Sequence, residues 1–171
     1  MKTKKIVFCG LFVALGVLLP QVFHMFGGKM AGAVFLPMHI PALLGGMLLG
    51  PIAGGIIGIL SPFLSGILTG MPSFEKIPFM IIELATYGVV SGLLSHKLKL
   101  NSWLSLVTAM VSGRVLNMII YFVMGELLHM QGYSYFMVIK ALITGLPGIA
   151  IQLVFLPLIV IACRKVMIKH E

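Results

Sequence analysis

The chain has 171 residues, of which 60% are hydrophobic and 9% charged, and its mean hydropathy is +1.14. Soluble domains carry about 25% charged residues, so this composition excludes a soluble globular protein; the length leaves room for about six spans of some 20 residues and no separate nucleotide-binding domain. The formal net charge of +8 is scattered over the ends of apolar segments and makes no basic face, which excludes a nucleic-acid surface and reads instead as membrane topology.

The opening MKTKKIVFCGLFVALGVLLP has the basic start and apolar core of a signal peptide. The small residues Ala31-Gly32-Ala33 lie too far beyond that core to serve as its cleavage site, with His24 and Lys29 between. The segment is therefore expected to stay as a first span over about 5–24, carrying Gly10 and Ala14 one turn apart on one face. A loop from Gly27 to Phe35 follows.

Residues FLPMHIPALLGGMLLGPIAGGIIG, Phe35 to Gly58, repeat a small residue at every fourth position: Ala42, Gly46, Gly50, Gly54 and Gly58. In lipid, where acyl tails compete equally for apolar side chains, such seams let helix backbones approach closely. Gly50-Pro51 interrupts the run, because proline removes a donor and disfavours helix at the preceding residue. This predicts two spans joined by a tight turn, about 38–50 and 52–70, with His39 and Pro41 at the membrane-edge entry of the first. Ser65 and Thr69 are expected to hydrogen-bond within the second.

A turn-rich loop holding Pro72, Glu75 and Lys76 leads to a fourth span over about 78–95, closed by Lys97, Lys99 and Asn101. The fifth span covers about 102–125. A polar loop with Glu126, His129, Gln131 and Tyr133 then leads to the sixth, about 136–163, and Arg164, Lys165 and Lys169 end the chain. The fold expected is thus an all-α membrane protein of six transmembrane helices in one domain. Thr69-Gly70-Met71-Pro72 echoes Thr144-Gly145-Leu146-Pro147, but the match is too short for a repeat.

Six spans put both termini on one side. Lys2, Lys4, Lys5, Lys97, Lys99, Arg164, Lys165 and Lys169 fall on that side, and only Lys29, Lys76 and Lys140 on the other. The positive-inside rule therefore predicts cytoplasmic termini. Cys9 and Cys163 lie in apolar segments near opposite ends of the chain, which suggests neither a disulfide framework nor a metal site.

Glu83 and Arg114 are the two charges that cannot be moved to an interface. Each costs on the order of 2.5–3.5 kcal/mol at a helix centre, so a partner or a polar cavity is expected. Tyr87 shares the face of Glu83 one turn on, and Asn117 and Tyr121 continue the face of Arg114. On the sixth span Lys140, Thr144, Gly148 and Gln152 recur every fourth residue as a polar stripe. With His39, these stripes suggest one cavity open to the outside, lined by His39, Glu83, Tyr87, Arg114, Asn117 and Gln152. The plainer alternative is an ion pair that only locks two helices together. No phosphate-binding loop, His-x-x-x-His spacing or Ser/His/Asp constellation is present, and one intramembrane carboxylate is too few for acid-base work, so catalysis is not expected.

FLPMHIPALLGGMLLGPIAGG, GMPSFEKIPFMIIELATYGVVSGLL, SGRVLN and ITGLPGIAIQL, in that order in a chain of this size, resemble the substrate-binding S components of energy-coupling factor (ECF) vitamin transporters. Gly10 and Ala14 look like that family's Ala-x-x-x-Ala docking motif, with glycine in place of the first alanine. The resemblance implies a six-helix protein of a prokaryotic plasma membrane that binds a vitamin near its outer face beneath the first and third outer loops. It also implies a transmembrane scaffold subunit and two cytoplasmic ATPases as partners, with no cofactor of its own. Arg114 suits a carboxylate such as that of pantothenate or niacin, and Glu83 suits a cationic or hydroxylated ring such as that of pyridoxine. Two alternatives stand beside this reading. One is a self-sufficient secondary transporter or small channel using Glu83 and Arg114, which the lack of a repeat disfavours. The other is a membrane enzyme or assembly factor in which the pair is structural.

Overall fold

The computed structural model describes residues 3–130 and 132–169. Lys2 and Gln131, used in the sequence-based topology, lie outside the described residues, as do the side chains of Arg164 and Lys169. Regular structure among the described residues is helical throughout: α1 (Thr3–Phe35), α2 (His39–Leu49), α3 (Pro51–Thr69), α4 (Ile77–Gly92), α5 (Ser102–Phe122) and α6 (Tyr135–Lys169). A 3-10 turn precedes α4, and π-helical turns extend α4 and α5. Among the described residues, five segments are long and apolar enough to cross a membrane, and α2 is shorter.

The five long helices form a closed ring in the order α1, α3, α4, α5, α6, and α2 stands inside it, touching all five. That position explains its composition. Every residue from Pro41 to Met47 is buried, so α2 needs no polar face and can be apolar all round. Its 11 residues span only about 16 Å. It starts from the Gly50 turn, at the end of the bundle where Lys5 and His96 flank Gly50 and Pro51. His39, at the other end of so short a helix, lies inside the bundle and is only 6% exposed.

The chain reaches that position through a folded-back arm. At Gly27 and Gly28 α1 breaks, with Gly28 at φ 62° and ψ −163°, a conformation open to glycine and costly for other residues. Residues 29–35 then return along the helix, bringing the Phe35 ring to 5.2 Å from that of Phe23. The expected loop from Gly27 to Phe35 is thus a short helical arm, and its backbone at Val34 and Phe35 lies against Gly148 of α6.

The glycine seam packs against α4. A Cβ on Gly46 or Gly54 would meet the Gly88 carbonyl, one on Gly58 would meet the Leu84 carbonyl, and one on Gly88 would meet the backbone of Gly54. Three helix backbones are therefore in direct contact, where dispersion replaces the hydrophobic effect as the cohesive force. Gly50 takes φ 99° to make the turn, and its N–H caps α2 on the Gly46 carbonyl. At the other end of α3, Thr69 Oγ1 donates to the Ser65 carbonyl at 2.7 Å, as expected. Ser65 Oγ instead donates to the Met71 carbonyl at 2.6 Å, and Gln21 of α1 ties on through Thr69 at 3.0 Å.

Candidate functional site

Above the seam α4 changes character. Glu83, one turn from Tyr87, turns its carboxylate into the bundle and is only 4% exposed. Water cannot solvate it there, so protein donors must do so. The Tyr87 hydroxyl donates to Oε1 at 2.7 Å and Asn117 Nδ2 donates to Oε2 at 2.6 Å. Arg114 Nη1 stands 3.1 Å from Oε1, and His39 Nε2 stands 3.6 Å from the same oxygen, beyond hydrogen-bond distance. The imidazole lies tilted over the Tyr87 ring, centroids 5.3 Å apart.

Local sequence sets up each contribution. The spacings Glu83–Tyr87 and Arg114–Asn117 put each pair on one helical face, and Gly113 leaves room for the Tyr87 ring to lie against the backbone of α5. Five of the six predicted residues, His39, Glu83, Tyr87, Arg114 and Asn117, thus meet at one carboxylate. Gln152 stands apart from that group. Its Nε2 donates to the carbonyls of Phe35 and Leu36, each at 3.2 Å, and the Leu36 carbonyl also accepts from the His39 N–H at 3.0 Å. Gln152 therefore pins the turn that delivers His39. Of the docking pair, Gly10 and Ala14 are both exposed on the outer face of α1, and a Cβ on Gly10 would meet nothing.

The outward-open cavity expected from the stripes is corrected: the cluster is closed over. Glu83 and Asn117 are buried, and the stripe on α6 is covered at Gly148 by the arm, with Lys140 left exposed outside. One turn beyond Glu83 and Asn117, Phe79, Tyr121 and Tyr133 form an aromatic trio with centroids 4.5, 5.4 and 6.0 Å apart. An apolar cleft of about 310 Å³ does exist, but it sits in the bend of α1, lined by Val22, Phe23, Phe26, Gly27, Ala31 and Phe35. Phe79 and Gly113 were missed as parts of the site. Phe79 had a signal, since it lies four residues before Glu83 on the same face; so did Gly113, a helix-interior glycine beside an intramembrane arginine.

The cluster retains unused hydrogen-bonding capacity. Both nitrogens of His39, Arg114 Nε, Asn117 Oδ1 and Gln152 Oε1 are buried and have no hydrogen-bond partner among the described residues. Native interiors leave few such groups. Four of these atoms stand beside Glu83, more than at any other place among the described residues, and each costs about 1–3 kcal/mol when left unpaired.

No curated protein and no solved structure matches this chain. The family model for the ECF transporter, substrate-specific component, matches residues 4–160. That span contains the arm, the glycine seam and every residue of the Glu83 cluster, and the chain belongs to the family of ECF transporter substrate-specific components.

Proposed function

We propose that this protein is the substrate-binding subunit of an ECF-type importer for a water-soluble vitamin or related micronutrient, and that His39, Glu83, Tyr87, Arg114 and Asn117 form its binding site. The observation that carries the reading is the unused capacity around Glu83: buried donors and acceptors in a membrane bundle are costly unless a ligand meets them. Gln152 holds the arm and the entry of α2 in place over the site. Phe79, Tyr121 and Tyr133 cover the cluster on the side away from the lysine-rich end.

The protein sits in a prokaryotic plasma membrane with both termini in the cytoplasm, the orientation that the lysine distribution favours. Substrate enters from outside, past the aromatic trio and the arm. Energy comes from partners, a membrane scaffold subunit and two cytoplasmic ATPases, and the scaffold docks on the Gly10 and Ala14 face of α1. A single vitamin, binding to the purified protein and taken up by cells only when scaffold and ATPases are co-produced, is the expected result. Uptake by this chain alone would favour a self-sufficient secondary transporter instead.

A further inference from the structure

We infer that the site selects a neutral or singly anionic ligand carrying hydrogen-bond donors, and that Glu83 is a positioning residue rather than the receptor for a cationic substrate. The inference rests on the assignment of the site made above. It follows from how the carboxylate is already engaged. Oε1 faces the Tyr87 hydroxyl at 2.7 Å, Arg114 Nη1 at 3.1 Å and His39 Nε2 at 3.6 Å, and Oε2 accepts from Asn117 at 2.6 Å. Groups from α4 and α5 are therefore held in orientation by Glu83, with His39 of α2 standing beside them.

Charge points the same way. Glu83 and Arg114 cancel, so the pair leaves no negative charge over for a cation. A cationic ligand would add an uncompensated positive charge beside Arg114 in a medium where charges are poorly screened. Its usual partner, the carboxylate, is already taken.

The polarity of the open positions completes the argument. A carboxylate only accepts, so Asn117 must present Nδ2 to Glu83, which assigns Oδ1 as a free acceptor. Arg114 Nε can only donate, and a neutral imidazole offers one donor and one acceptor. A matching ligand therefore brings a hydroxyl or N–H to Asn117 Oδ1 and a carbonyl, carboxylate or ring nitrogen to Arg114 Nε. A quaternary or protonated nitrogen is itself no acceptor, so at Arg114 Nε it meets only like charge.

The test measures binding to the purified intact protein by thermal shift and calorimetry, with a panel sorted by charge. Thiamine, choline and N-methylnicotinamide are the cations, pyridoxine, nicotinamide and riboflavin the neutral compounds, and pantothenate, nicotinate and biotin the anions. The expected tightest ligand is neutral or anionic. A cation as the tightest ligand overturns the inference and leaves the site assignment standing, whereas no binding by any member overturns the assignment and the inference together. For the ligand found, its acid and amide forms are then compared on Glu83→Gln and Arg114→Gln. Removing the negative charge should raise the preference for the acid form at least about tenfold, and removing the positive charge should lower it by a similar factor. If Glu83 and Arg114 only hold the helices together, that ratio stays at its wild-type value in both variants, and the inference fails.

Discussion

Helix α4 carries two regions that solve the problem of packing in lipid in opposite ways. Around Gly88 its backbone touches that of α3 and lies against Gly46 of α2, with side chains removed so that dispersion alone provides cohesion. Around Glu83, one to two turns away, the same helix buries a charge and surrounds it with donors from two other helices. The first region leaves no room for anything but helix backbone. The second keeps donors and acceptors that the protein does not use. The contrast teaches how one helix separates rigidity from open polarity: the seam fixes α2, α3 and α4 as one block, and the polar cluster rides on that block with donors and acceptors left open.

The difference can be broken from either side. The largest effect on stability should come from removing one charge. Glu83→Gln or Arg114→Gln leaves the other buried without its partner, a loss of about 3–5 kcal/mol, whereas the double variant should recover part of it. Thermal unfolding of the three proteins in the same detergent reads this directly; additive losses would mean that the two charges do not compensate each other. Gly88→Val is expected to cost about 1–3 kcal/mol, because its side chain would meet the Gly54 backbone, which has no flexible end to move aside. A Gly88→Val protein as stable as wild type would contradict the close packing of the seam.

Gly10→Leu sharpens the comparison from outside the bundle, and its effect on stability should be smallest. A Cβ there meets no atom of the described residues within 4 Å, so the melting temperature and ligand affinity should change little, within about 0.5 kcal/mol. Uptake by the assembled transporter should fail, since the leucine fills the groove a scaffold helix would occupy. If binding and uptake fell together, Gly10 would belong to the internal fold instead.

What the sequence revealed follows the range of each interaction. The pairs Glu83–Tyr87 and Arg114–Asn117 lie on single helices, where a spacing of three or four residues already places side chains together, and they were readable at once. The seam was half readable: Gly46, Gly54 and Gly58 show their period, but the spacing of Gly88 and Gly92 on another helix does not say that they face the backbone at Gly46, Gly54 and Pro51. The burial of His39 depends on α2 being only 11 residues long, between turns at Leu36 and Gly50, and on the arm behind it, whose fold-back rests on the backbone conformation at Gly28. Gln152 illustrates the limit most plainly. Its polar stripe on α6 was legible, yet the partners at Phe35 and Leu36 are more than a hundred residues away, and periodicity cannot say what will cover a face.

The most direct test of the central claim is the ligand affinity of the Glu83→Gln/Arg114→Gln double variant, measured by calorimetry on protein shown by its melting curve to be folded. A binding site built from these groups predicts that affinity falls at least about tenfold, because the charge-assisted contact of Arg114 to the ligand, about 1.5–3 kcal/mol, is lost together with the carboxylate that orients Tyr87 and Asn117. Affinity within about threefold of wild type in the folded double variant would contradict the claim and leave Glu83 and Arg114 as a structural ion pair.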